Sequence, residues 1–161
     1  MARPNPIRTT MTAPLPSKTY QRRKQFRPSE DDVNYAYNIV NRHIFKNQLK
    51  KPEITLGIIP KRWGECIWMP EQQESKSYTI IRLSDKWFCP QWFLNTLAHE
   101  MIHQWQWDVY RWEMGGRIYE DSGAHGPSFY SWRDTFEHYG LNLKISHGQR
   151  RWFRFQDFTK C

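Results

Sequence analysis

Apolar residues fall into a regular pattern only after residue 28. Val33, Ala36, Tyr37, Val40, Ile44 and Phe45 recur at spacings of three and four, which predicts a helix from Ser29 to about Asn47. Ser29 and Asp32 make a capping-box-like start, and Glu30 and Asp31 suit the positive end of the helix dipole. Pro52 breaks the pattern, and Ile54, Leu56 and Ile58 then alternate as a strand ending near Pro60. Cys66–Met69 is a candidate second strand. After a polar loop at 70–76, the stretch YTIIRLS, Tyr78–Ser84, is the clearest strand of all. Pro90 stands just inside a second long helix, where its missing N–H costs nothing. Phe93, Leu94, Leu97, Ala98, Met101, Ile102 and Trp105 give that helix a broad apolar face as far as about Tyr110. A Gly-containing loop at 115–126 leads to a last helix that starts at Pro127, carries Phe129, Trp132 and Phe136, and ends at Gly140.

Composition changes this picture in two ways. Leu, Ile, Val and Phe make up only 32 of the 161 residues, a share at which chains begin to fail to bury enough surface. Nine Trp and eight Tyr restore it, so the expected core is aromatic. Residues 1–28 hold five of the ten prolines and no periodicity, and read as a disordered leader. The expected organisation is therefore a leader at 1–28, one globular domain at 29–147 and a tail at 148–161. No run approaches the roughly 20 apolar residues of a membrane span, and the start lacks the apolar stretch of a cleaved secretory signal. The prolines at 4, 6, 14 and 16 oppose the amphipathic helix of a transit peptide.

The net charge of +8 is divided unevenly. Residues 1–29 carry +7, residues 30–139 carry −3 and residues 140–161 carry +4. Cationic ends of this kind suit nucleic acid, and they equally suit a solvated, solubilising tail. Arg22, Arg23, Lys24, Arg150, Arg151 and Arg154 are the candidate phosphate contacts, with Trp152 as a ring able to stack on a base. The competing reading packs Trp152 and Phe155 back onto the domain. Cys66, Cys89 and Cys161 form an odd set with no CxxC pair, which argues against a disulfide framework and for a reducing, intracellular compartment, cytoplasm or nucleoid or nucleus. Cys66 and Cys89 read as small buried hydrophobes.

The chemistry sits at residues 99–103, HEMIH, inside the apolar helix. His99 and His103 are one turn apart, so both imidazoles leave one face and can share a metal ion. Glu100 lies about 100° round the helix, where it can take a proton from a zinc-bound water. A lone glutamate between Ala98, His99, Met101 and Ile102 would be costly to bury without such a purpose. Spacing narrows the third ligand. The metzincin pattern needs a His where Val109 stands, and Glu113, Glu120 and Glu137 are weak gluzincin-type candidates. His125 in GAHGPSF is better, because Gly123 and Gly126 permit close backbone approach and Pro127 starts a helix behind it.

HEMIH followed 22 residues later by HGPSF resembles the SprT-like zinc metalloproteases, which include the Spartan DNA–protein crosslink proteases. The resemblance runs from about Tyr35 to Leu143 and takes in Asn41, Phe45 and Leu49, WGEC at 63–66, IRLS at 81–84 and LAHEMIH. It implies an α+β, zincin-like metallopeptidase domain over 29–147, its HExxH helix packed on a small, mostly antiparallel sheet. It also implies one zinc ion per chain held by His99, His103 and His125, with Glu100 as general base of an endopeptidase. Many family members follow this domain with a cysteine-rich zinc ribbon, which this sequence lacks. If DNA is contacted, the cationic ends are what remains to do it.

Other residues have weaker claims. Arg117 and Tyr119 are candidate stabilisers of an oxyanion, or merely close the cleft. His43, His138 and His147 lack partners at metal spacing. Trp105, Trp107 and Trp112 are a possible substrate patch, although Trp at helical spacing is more often core. The expected function is zinc-dependent hydrolysis of peptide bonds, with a protein substrate, nucleic acid as a further partner and no membrane. The rival is a nucleic-acid-associated or structural protein whose zinc only stabilises the fold, and Glu100 discriminates, since a structural site has no use for a base.

Overall fold

The computed structural model describes residues 26–71, 76–115 and 124–143. Helix α1, Glu30–His43, starts as its sequence requires. The Ser29 hydroxyl accepts from the Asp32 N–H at 3.1 Å, and the Ser29 N–H donates to the Asp32 carboxylate at 2.9 Å. The helix stops short of Asn47 because Lys46 and Asn47 adopt left-handed backbone, with φ of 55° and 59°. The Asn41 amide then pins the outgoing chain, donating to the Leu49 carbonyl at 2.9 Å and accepting from the Leu49 N–H at 3.2 Å.

Three strands follow: β1, Glu53–Gly57; β2, Gly64–Trp68; β3, Thr79–Ser84. The sheet is mixed, which corrects the expectation of a mostly antiparallel one. Its order is β1-β3-β2, with β1 parallel and β2 antiparallel to β3. Ile81 and Leu83 of β3 are wholly buried, so this strand takes the centre. β1 and β2, joined by the short connection 58–63, run in opposite senses and are left the two edges. One of the two pairings is then necessarily parallel. The end of β3 bonds to the connection and to the end of β1, Ser84 N–H to the Trp63 carbonyl at 2.8 Å and Asp85 N–H to the Gly57 carbonyl at 3.1 Å.

Helix α2, Pro90–Trp105, passes through the interior and is buried along nearly its whole length. It runs on through a π-helical turn, Gln106–Tyr110, into the short α3, Arg111–Glu113, slightly beyond the end near Tyr110 that its periodicity predicts. The last predicted helix is two: α4, Pro127–Tyr130, and α5, Arg133–His138. The Ser131 hydroxyl donates to the Ser128 carbonyl at 2.6 Å at the break, a local bond that competes with helix continuation. No described helix is long and apolar enough to cross a membrane.

The core is aromatic, as composition demands. Trp63 packs against Trp87, Phe88 and Trp92 with ring centroids 5.2, 5.7 and 6.4 Å away. Order reaches ahead of Ser29: Phe26 is buried and forms an antiparallel bridge with Trp87. Cys66 is a free thiol, half-buried in β2.

The capping box is the local feature on which α1 depends. Ser29→Ala is expected to cost about 1 kcal/mol, read as a lower urea midpoint at unchanged m. A midpoint equal to the parent's would mean that α1 is held by packing alone.

Candidate metal centre and active site

Helix α2 is apolar because it is buried, and the same burial concentrates its few polar side chains at three faces. His99 and His103 project together toward His125, which stands at the mouth of α4 just before Gly126 and Pro127. The three Nε2 atoms form a near-equilateral triangle: 3.2 Å from His103 to His99, 3.2 Å from His103 to His125 and 3.3 Å from His125 to His99. Ligand nitrogens about 2.0–2.1 Å from a tetrahedral zinc stand about 3.3–3.4 Å apart, so the observed edges fit that ion.

Hydrogen bonding alone does not account for the triangle. Each Nε2 carries either a proton or a lone pair. A ring of three cannot alternate donor and acceptor, so one contact always opposes two protons or two lone pairs. A shared cation satisfies all three lone pairs at once. Burial pushes the His103 imidazole down to about 4, with the Gln106 hydrogen bond opposing and His125 adding to the shift. Burial also lowers His125. Both shifts favour the neutral imidazole, the form that binds a metal. Phe129 of α4 buttresses all three rings, at 4.8 Å from His99, 5.1 Å from His103 and 4.7 Å from His125.

Glu100 shares a cleft of about 670 Å³ with the three histidines. β2 and the segment before it form the opposite wall, with Arg62, Gly64, Glu65, Cys66 and Trp68. Burial pushes the Glu100 carboxyl up to about 8; Glu65 adds to this, and Arg62 and the Cys66 backbone N–H partly offset it. Gly64 permits the close approach of β2 to α2. A Cβ there would stand 2.9 Å from Thr96 Cγ2 and 3.2 Å from Glu100 Cγ.

The sequence-predicted residues divide clearly. His99, Glu100, His103 and His125 meet in one cleft. His43 and His138 lie against Tyr139 instead, at 5.9 and 5.1 Å. Trp107 lines the cleft, stacked at 4.5 Å and 4° on Trp68. Trp105 packs against Tyr110 and Trp132, and Trp112 is half exposed beside Tyr78. Cys66 borders the cleft with its thiol pushed up by burial, which makes it a poor nucleophile. Arg117, Tyr119, His147, Arg22, Arg23, Lys24, Arg150, Arg151, Trp152 and Arg154 lie outside the described residues. Sequence reasoning did not single out Gly64, Trp68, Gln106 or Phe129 for the site. For Phe129 a signal existed, since it stands one turn after His125.

A helix-borne pair of histidines, a third from a following loop and a buried glutamate between them define a candidate metal-dependent hydrolase site on an α+β body. The chain belongs to the SprT-like family, whose pattern it matches over residues 33–147. No curated protein and no solved structure matches it. Membership suggests a metalloprotease-type domain, and the three-histidine group offers it a place for a metal ion.

The Gly64 contact generates a test of the seam beside Glu100. Gly64→Ala forces Thr96 or the β2 backbone to move and is expected to cost about 1–3 kcal/mol. Urea unfolding reads it directly. No loss of stability would show that β2 and α2 are not packed as closely as these distances require.

Proposed function

We propose that the chain is a zinc-dependent endopeptidase. The observation that carries this reading is the triangle of Nε2 atoms at 3.2–3.3 Å with Glu100 in the same cleft. His99, His103 and His125 would hold the ion, and a bound Zn²⁺ supplies Lewis-acid activation of water and of a carbonyl near neutral pH. Glu100 acts as the proton carrier. Its carboxylate takes a proton from the water whose oxygen attacks the peptide carbonyl carbon. It returns that proton to the amine nitrogen as the C–N bond breaks. The carboxyl is raised to about 8 by burial, and a dication on the neighbouring imidazoles favours its ionised form, the form a base needs. Trp68 and Trp107 give the cleft an apolar wall beside the reacting centre.

The substrate is a protein, and we extend the proposal to proteins bound on nucleic acid. Support for that extension is the charge of +7 in residues 1–29 and of +4 in residues 140–161. Arg117 and Tyr119 remain the proposed stabilisers of the oxyanion.

Two substitutions separate the enzyme from a scaffold. His125→Ala should lose most of the zinc found in the parent by mass spectrometry. Glu100→Gln should keep zinc and fold while cleavage of a test protein disappears. Undiminished cleavage by Glu100→Gln would remove Glu100 as the base, and unchanged zinc in His125→Ala would remove His125 as a ligand.

The nucleic-acid extension has its own measurement. Removing residues 1–25 spares the buried Phe26 and deletes six cations, so the fall of single-stranded DNA affinity with salt should become shallower, by about 0.7 in log–log slope for each lost phosphate contact. Zinc content should stay as in the parent. An unchanged slope would leave the leader without a role in binding.

A further inference from the structure

We propose that Gln106 is a positioning residue that selects the metal-binding tautomer of His103 and docks the His125 loop onto α2. The inference rests on reading the three imidazoles as a zinc site, and it deepens that reading. Gln106 opens the π-helical turn and is only 1% exposed. Its side-chain nitrogen lies 2.8 Å from the Ala124 carbonyl and 2.9 Å from the Ser128 hydroxyl. A carbonyl only accepts, so the group facing Ala124 is the NH₂ and both of its protons are used there. The amide oxygen is thereby turned to His103 Nδ1, at 2.8 Å. That oxygen only accepts, so Nδ1 carries the proton. A neutral imidazole has one N–H, and His103 Nε2 is left as a bare lone pair aimed at the triangle's centre.

Neither half of this arrangement can flip alone. A proton moved to Nε2 would set the Nδ1 lone pair against the amide oxygen. A rotated amide would set its oxygen against the Ala124 carbonyl. Ala124 immediately precedes His125, and Ser128 lies in the first turn of α4. One buried amide thus ties the ligand on α2 to the segment bearing the third ligand. Partners of this kind fix ring orientation and typically change metal affinity by about 10- to 100-fold.

The test uses the full chain, stripped of metal by a chelator and labelled with ¹⁵N-histidine. Long-range ¹H–¹⁵N spectra should show His103 protonated at Nδ1 in the parent. Gln106→Met keeps the size of the side chain and removes both functions. It should give a mixture of tautomers and, in competition with a zinc chelator, about 10- to 100-fold weaker zinc binding. Gln106→Glu keeps the acceptor and loses the donors, so it should restore the Nδ1–H signal while zinc affinity falls between the other two. If Gln106→Met melts lower but His103 stays on Nδ1 and zinc affinity stays within about twofold of the parent's, Gln106 is structural and the proposal fails. Should Gln106→Met not fold, loss of the Nδ1–H signal in Gln106→Glu overturns the proposal equally. A parent that binds no zinc would overturn the zinc reading, while the tautomer spectra still decide what Gln106 does.

Discussion

Helix α2 is buried on almost every side, yet the polar His99, Glu100 and Gln104 along it are no more than 5% exposed. A polar group in that position must find partners or cost free energy. Much of the surrounding structure supplies them. On one face, Gln104 donates to the Lys50 carbonyl at 2.6 Å and to the Asp108 carboxylate at 3.0 Å, and its oxygen accepts from the Tyr37 hydroxyl at 3.1 Å. Asp108 in turn accepts from the Ser77 hydroxyl at 2.6 Å and the Tyr78 N–H at 2.8 Å, which anchors the start of β3. That face ties α1, β3 and α2 together without touching the histidines. A second face carries Glu100 to β2, and the third carries His99 and His103 to the His125 loop. The site is one of three solutions to a single burial problem, and it is the one that hydrogen bonds within the triangle leave unfinished.

The π-helical turn belongs to the same logic. Such turns interrupt α-helices frequently at functional sites. Here the interruption begins at Gln106, immediately beyond the turn that carries His103. The chain beyond it still reaches Trp107 for the cleft wall, Asp108 for the β3 anchor and Arg111, whose guanidinium lies 4.5 Å from the Trp68 ring centroid. Trp107 and Arg111 both meet Trp68 of β2, whereas Asp108 goes to the start of β3.

Much of this was legible from residues alone. HEMIH offers two candidate ligands and a candidate base through helical spacing, and His125 stands out because two glycines and a proline frame it. Ser29 and Asp32 give the capping box, and YTIIRLS gives β3 almost to the residue. What was hidden depends on contacts between segments distant in sequence. Strand order cannot be read from alternation, which says which face is buried but not which edge is paired. Gln106 looks like any polar residue on a helix until Ala124 and Ser128 arrive beside it. Gly64 looks like a turn glycine, and only the packing of β2 on α2 shows why a side chain cannot stand there.

The aromatic core links composition to the site. Trp63 is buried among Trp87, Phe88 and Trp92. Gly64, its neighbour in the chain, leaves no room for a side chain beside Glu100, since a Cβ there would stand 3.2 Å from Glu100 Cγ. Large rigid rings fix the start of β2 with few rotatable bonds to order. A chain poor in aliphatic residues thereby obtains a wall stiff enough to hold a carboxyl at a set depth. Depth matters because burial is the first cause of the upward shift of Glu100. Glu65 and Arg62 at the rim contribute less, and their own pairing at 3.4 Å is largely exposed and weak. Burial between β2 and α2 thus stands ahead of the charges at the mouth of the cleft as a cause of that upward shift.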